Sequence, residues 1–149
     1  MSSDTIAVVA DIHGNLSALE CVADDIARRG IDTVVNLGDH ASGPLWPRET
    51  IDFLMTRPWA HIAGNCDRAI SQIAPSALGA SDRFAFDRLA EPQRMWFDDL
   101  PATATLGAVA ACHGTPSSDS IYLLETVDTF GSRLARPCPR TRAAERNRM

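Results

Sequence analysis

Thr5-Ile6-Ala7-Val8-Val9-Ala10-Asp11-Ile12-His13-Gly14-Asn15 is the stretch whose reading decides the fold. Thr5 to Ala10 is a short, continuous apolar run rich in β-branched residues, which fits a strand buried on both faces better than an alternating surface strand. It ends abruptly on Asp11 and His13. Beyond it, Leu16, Leu19, Val22, Ala23 and Ile26 recur at helical spacing, with Asn15 as N-cap and Gly30 as the C-terminal stop. Ile31 to Leu37 repeats the pattern. It ends at Gly38-Asp39, and Pro47 is placed to open a helix carrying Ile51, Phe53, Leu54 and Met55.

Trp59 to Ala63 reads as a third strand, ending at Gly64-Asn65, and Met95, Trp96 and Phe97 suggest one apolar helix face. Past Pro101, Ala102 to Leu106 and Ala108 to Cys112 read as two strands joined at Gly107, the second ending at His113-Gly114. Strand and helix units of this length imply a mainly parallel α/β sheet covered by helices, with the hairpin adding an antiparallel element.

Bulk composition narrows the function. The chain has 149 residues, 45% hydrophobic and 22% charged, ordinary for one globular domain and against wholesale disorder. No apolar run approaches the roughly 18 to 20 residues that span a bilayer. Asp4 precedes the first apolar run and no basic residue does, so a secretion signal is not expected and the cytoplasm is the expected compartment. Cys21, Cys66, Cys112 and Cys138 lack close spacing, so shielded free thiols are expected rather than disulfides or a zinc clip. Up to Phe130 there are 8 Arg and 18 acidic residues, giving −10, which argues against non-specific nucleic-acid binding. From Gly131 to Met149 there are 6 Arg against Glu145 alone, giving +5, and the segment is read as a disordered basic tail.

In open α/β sheets, ligand groups gather beyond the carboxyl ends of strands. Four such ends here carry metal-ligating side chains: Asp11 and His13, Asp39, Asn65, and His113. Each site has a glycine adjacent or one residue away, where the backbone can turn sharply. If the backbone stays extended, Asp11 and His13 project to one side and share an ion. Carboxylate with imidazole suits borderline divalent metals such as manganese, iron, cobalt or zinc. Asp39 has two oxygens with which to bridge two ions, and Asn65 and His113 complete a second site.

Asp11-Ile12-His13-Gly14-Asn15, Gly38-Asp39, Gly64-Asn65-Cys66-Asp67 and Cys112-His113-Gly114 resemble, in order and spacing, the successive motifs of the calcineurin-like metallophosphoesterase family, over about Ile6 to Pro116. The resemblance implies a sheet sandwich flanked by helices, incomplete here on its C-terminal side. It also implies two divalent ions, manganese first, with iron, cobalt, zinc or nickel as alternatives. Asp39 would bridge them, with Asp11 and His13 on one metal and Asn65 and His113 on the other. Family members hydrolyse phosphomonoesters or phosphodiesters through a metal-activated hydroxide.

Asn65 and Asp67 are the candidate catalytic residues; Asp67 either holds a ligand by hydrogen bonding or caps the next helix. Two departures stand out. Cys66 occupies a position where the family often has a His, and a thiol is a poor leaving-group acid at neutral pH. No Gly-His-Xaa-His follows His113, so five of the family's seven ligand positions are present. The missing motif and the charge break lead to the expectation of truncation or a shifted reading frame, with a domain over 1–130 and a tail over 131–149.

The first functional expectation is a dinuclear phosphoesterase acting on a small-molecule or nucleotide phosphate ester. The alternative is a non-catalytic remnant that binds phosphate or one ion weakly. A dinucleotide-binding Rossmann domain fits less well, because the first loop lacks Gly-Xaa-Gly-Xaa-Xaa-Gly and carries a carboxylate. Asn15 is read as a cap before a substrate contact, His40 as a loop residue or phosphate contact, His61 as structural, and Trp46, Trp59 and Trp96 as packing. An incomplete sheet has an open edge, so self-association is expected.

Overall fold

The computed structural model describes residues 5–127 and 133–135. Strands β1 (Ile6–Val9), β2 (Thr33–Asn36) and β3 (Ala60–His61) form a parallel sheet in that spatial order, with Val8 opposite Val35 and Asn36 opposite His61. Helices α1 (Leu16–Arg28) and α2 (Pro47–Met55) provide the crossovers. Asn15 caps α1 by accepting from the Ala18 N–H at 3.2 Å, and Pro47 opens α2, both as the sequence predicts. Helices α3 (Asn65–Gln72), α4 (Ala80–Arg88) and α5 (Glu91–Asp98) follow. The hairpin of β4 (Thr103–Leu106) and β5 (Val109–Cys112) is antiparallel and turns at Gly107, as expected. The Ala63 N–H ties the end of β3 to the Pro101 carbonyl at 2.9 Å.

Leu19, Ile51, Leu54, Ile70, Leu89 and Phe97 form the buried core, with Ile12, Trp59 and Trp96 packed against it. Each fully buried Leu, Ile or Phe side chain contributes about 1.5–3 kcal/mol of transfer free energy, so these few residues anchor α1, α2, α3 and α5 around one centre. The strand ends that carry the polar residues are thereby fixed.

Four readings are corrected. β1 is an edge strand, not one buried on both faces: no partner lies on its outer side among the described residues, and Val8 is 59% exposed. β3 shrinks from five expected residues to two. Met95 is exposed while Phe97 is buried, so only part of that apolar triplet faces the core. Cys21 is exposed rather than shielded; it, Cys66 and Cys112 are free thiols. Most of the 131–149 segment lies outside the described residues, as does Cys138. Within it, β7 (Arg133–Ala135) pairs antiparallel with β6 (Glu125–Val127), which the reading of a disordered tail does not anticipate.

Candidate metal centre

The first two loops are zipped together beyond the ends of their strands. Asp11 N donates to the Gly38 carbonyl at 3.0 Å, His13 N to that of Asp39 at 3.0 Å, and Gly14 N to that of His40 at 2.9 Å. Asp11, His13 and Asp39 have φ of 52°, 49° and 55° and are the non-glycine residues with positive φ among those described. Such backbone is costly for residues with a Cβ and collects at functional sites. The expected extended backbone at Asp11 and His13 is therefore wrong. A left-handed turn, stabilised by this zipper, brings Asp11 Oδ1 within 3.8 Å of His13 Nε2.

The third loop is pressed against the second. A Cβ on Gly38 would overlap the Gly64 backbone, and one on Gly64 would overlap the Asp39 carboxylate, so only glycine permits this approach. Asp67 locks the pair. Its side chain, 0% exposed, accepts from Asp39 N at 2.8 Å, Gly64 N at 2.9 Å, His40 N at 3.0 Å and His40 Nδ1 at 2.7 Å. Burial works to raise its pKa, but the His40 ring and the backbone donors outweigh it and hold it low. Asp67 caps α3, one of the two alternatives read from sequence, and also hydrogen-bonds the backbone of the Asp39 loop. It is not among the residues lining the cavity, which does not fit the expectation of a catalytic residue.

Both predicted imidazole ligands are oriented by backbone. His13 Nδ1 lies 2.7 Å from the Ser42 carbonyl and His113 Nδ1 2.8 Å from that of Leu37. A carbonyl only accepts, so each Nδ1 carries the proton and each Nε2 presents a lone pair. Both Nε2 atoms stand 3.8 Å from Asp39 Oδ2, while Asp39 Oδ1 accepts from Cys66 N at 3.0 Å. His113 Nε2 also faces Asn65 Oδ1 at 3.1 Å. Lone pairs converging on a carboxylate and an amide oxygen are the arrangement a cation resolves, so the donor set fits divalent metal. Ligand atoms of Asp11, Asp39 and His113 lie within 4.8 Å of one another, as do those of His13, Asp39 and Cys66. Asp39 belongs to both groups.

Asp39 is 4% exposed, and burial pushes its pKa up against the Cys66 N–H bond, with the Asp67 carboxylate adding to the rise. Burial, then the Asp39 carboxylate, push the Cys66 thiol up to about 12. Cys66 is thus no proton donor of use at neutral pH, as its chemistry suggested. The five expected ligands, Asp11, His13, Asp39, Asn65 and His113, are all brought together. Asp119 to Tyr122 line the same cavity and carry no periodic or motif signal in the sequence.

Beneath the site, His40 packs between His61 and Trp96, with ring centroids 5.6 and 5.2 Å away. It is 0% exposed, buried structure rather than a phosphate contact. His61, structural as read, has its pKa lowered to about 4 by burial and by His40, against a rise from Asp67. The folded state therefore refuses a proton that the unfolded chain takes up near pH 6.5. Stability is full above pH 6.5 and falls as pH drops towards 4, by about 3 kcal/mol at most. Urea midpoints at pH 7 and pH 4.5 should show that loss shrinking in His61→Gln; an equal loss in both proteins rejects the assignment.

A parallel α/β sheet whose strand ends converge on a mixed oxygen and nitrogen donor set defines a metal-site protein of the hydrolytic type. The chain belongs to the calcineurin-like phosphoesterase family, whose model matches residues 4–145, continuing past the charge break at 130. Members of that family hydrolyse phosphate esters with divalent metal ions. The chain is 36% identical over 70 residues, 47% of its length, to an uncharacterized protein of Methanocaldococcus jannaschii, MJ0912. A metallophosphoesterase from Sphaerobacter thermophilus superposes with TM-score 0.67 and 26% identity over 80% of the chain. The hypothetical protein PH1004 from Pyrococcus horikoshii OT3, at TM-score 0.62 and 21% identity over 84% of the chain, shows the same fold. The chain spans 29% of the Methanocaldococcus protein's length, and 51% and 60% of the two structures. No helix among the described residues is long and apolar enough to cross a membrane.

Proposed function

We propose that the chain carries a dinuclear phosphoesterase centre with Asp39 as the bridging ligand, Asp11 and His13 on one ion and Asn65 and His113 on the other. The observation that supports it is the convergence of both Nε2 lone pairs on Asp39 Oδ2 at 3.8 Å. Divalent ions bound there supply Lewis acidity to the phosphoryl oxygens and lower the pKa of water. The chain's own part is to hold the lone pairs outward, through Ser42 and Leu37, and to keep Asp39 turned inward, through Asp67. Cys66 stands at the position where a leaving-group acid would act, and a thiol is a poor acid at neutral pH. Esters of acidic alcohols, which leave without protonation, are therefore the favoured substrates.

Manganese suits the oxygen-rich, imidazole-bearing set best. The purified chain loaded with manganese is expected to hold two ions and to hydrolyse bis(p-nitrophenyl) phosphate. A folded chain binding one ion or none, without turnover, would favour the remnant with five of seven ligand positions. Light scattering on the same sample reads the self-association that the open β1 edge favours; a monodisperse monomer would count against it.

A further inference from the structure

The two groups of ligand atoms that share Asp39 differ in kind. Asp11, Asp39 and His113 offer oxygen and nitrogen alone, whereas His13, Asp39 and Cys66 include a sulfur that the proposed ligand set leaves unused. The backbone holds that sulfur in place. Cys66 is the second residue of α3, and its N–H donates to Asp39 Oδ1 at 3.0 Å, so the turn that carries the thiol is fastened to the carboxylate proposed as the bridge. The sulfur is also met by a donor. Asn65 turns Oδ1 towards His113 Nε2 at 3.1 Å, which points its NH2 the other way, and Nδ2 donates to Cys66 Sγ at 3.5 Å. One amide thus faces both groups, its oxygen towards the nitrogen of one and its N–H towards the sulfur of the other. Hydrogen bonds of this kind orient metal ligands and tune them.

A thiol that serves poorly as an acid is a strong ligand for a thiophilic cation. The sulfur–metal bond forms as the S–H proton leaves to solvent, and the cation's charge holds the sulfur as thiolate. Soft sulfur selects zinc and related ions, while carboxylate and amide oxygens suit manganese. We infer that Cys66 Sγ is a further ligand of the ion held by His13 and Asp39, and that it makes this the zinc-selective position of the centre. Asn65 and His113 keep the harder position, where manganese fits. This rests on the dinuclear reading above and goes beyond it by giving the two positions unlike ligands and unlike metals.

Cobalt(II) is the probe, because it accepts the same ligands as zinc and a cobalt–thiolate bond absorbs in the near ultraviolet where oxygen and nitrogen ligands alone do not. The metal-free full chain titrated with cobalt is expected to hold two ions and to show that charge-transfer band. In Cys66→Ser the band should vanish and zinc should bind about tenfold or more weakly at its tighter site, while manganese binding stays within about threefold. Cys66→Ala repeats both readings without a hydroxyl to stand in for the thiol. Two cobalt ions held without the band, a band that survives in the variants, or an unchanged zinc affinity overturns the sulfur ligand and leaves the dinuclear reading standing. A chain that holds no ion of any of the three metals overturns both.

Discussion

Asp39→Asn is expected to lower bound manganese from two ions per chain to one or none and to cut metal-dependent hydrolysis about a thousandfold, roughly 4 kcal/mol of lost charge stabilisation. The hydrogen bonds dictate why. Cys66 N donates to Oδ1 at 3.0 Å, so an amide at this position keeps its oxygen there and turns its NH2 towards the two Nε2 lone pairs. The amide then hydrogen-bonds the imidazoles in the space where cations would sit, and the negative charge that draws them is gone. The metal-free fold should not suffer, because burial already disfavours ionised Asp39. Metal content by elemental analysis, initial rates and the metal-free thermal midpoint together read the effect. Two tightly held ions and a wild-type rate in the variant would refute the bridging role.

The parts of the site legible in the sequence were those set by local rules. The spacing of Leu16, Leu19, Ala23 and Ile26, the Asn15 cap and Pro47 placed α1 and α2, because capping and amphipathic period act within one element. Four of the five proposed ligands were legible because they follow strand ends of one parallel sheet, which point the same way, and the ordered motifs supplied His113 beyond the hairpin. What failed depended on neighbours. An apolar run states that Val8 prefers burial, but not whether a strand exists to cover it, and here its outer side is open. The left-handed turns at Asp11, His13 and Asp39 were not legible, since Asp and His, though enriched among non-glycine residues with positive φ, adopt it in only a small share of cases. The wall at Asp119 to Tyr122 is held by Arg68 from 51 residues away, a contact that no window of sequence contains.

Asp67 shows how much of the site rests on a side chain outside it. Four donors end on this one carboxylate, three backbone N–H groups and His40 Nδ1, all buried. Asp67→Ala leaves every one of them without an acceptor and strips the buried His40 of its partner. Breaking such a buried pair costs about 3–5 kcal/mol, a thermal midpoint lower by roughly ten degrees or more. Asp67→Asn is the sharper variant, because it preserves volume but replaces one accepting oxygen with a donor that must oppose an N–H. Stability should fall less than in the alanine variant. Asp39, at φ 55°, is held in its costly backbone state partly by this carboxylate, so its loop relaxes and manganese affinity should drop about 10- to 100-fold. A role confined to capping α3 predicts something different: lower stability in both variants, with manganese affinity in folded Asp67→Asn unchanged. Urea midpoints and manganese titrations on the same preparations separate the two, and an unaltered affinity would reduce Asp67 to a cap.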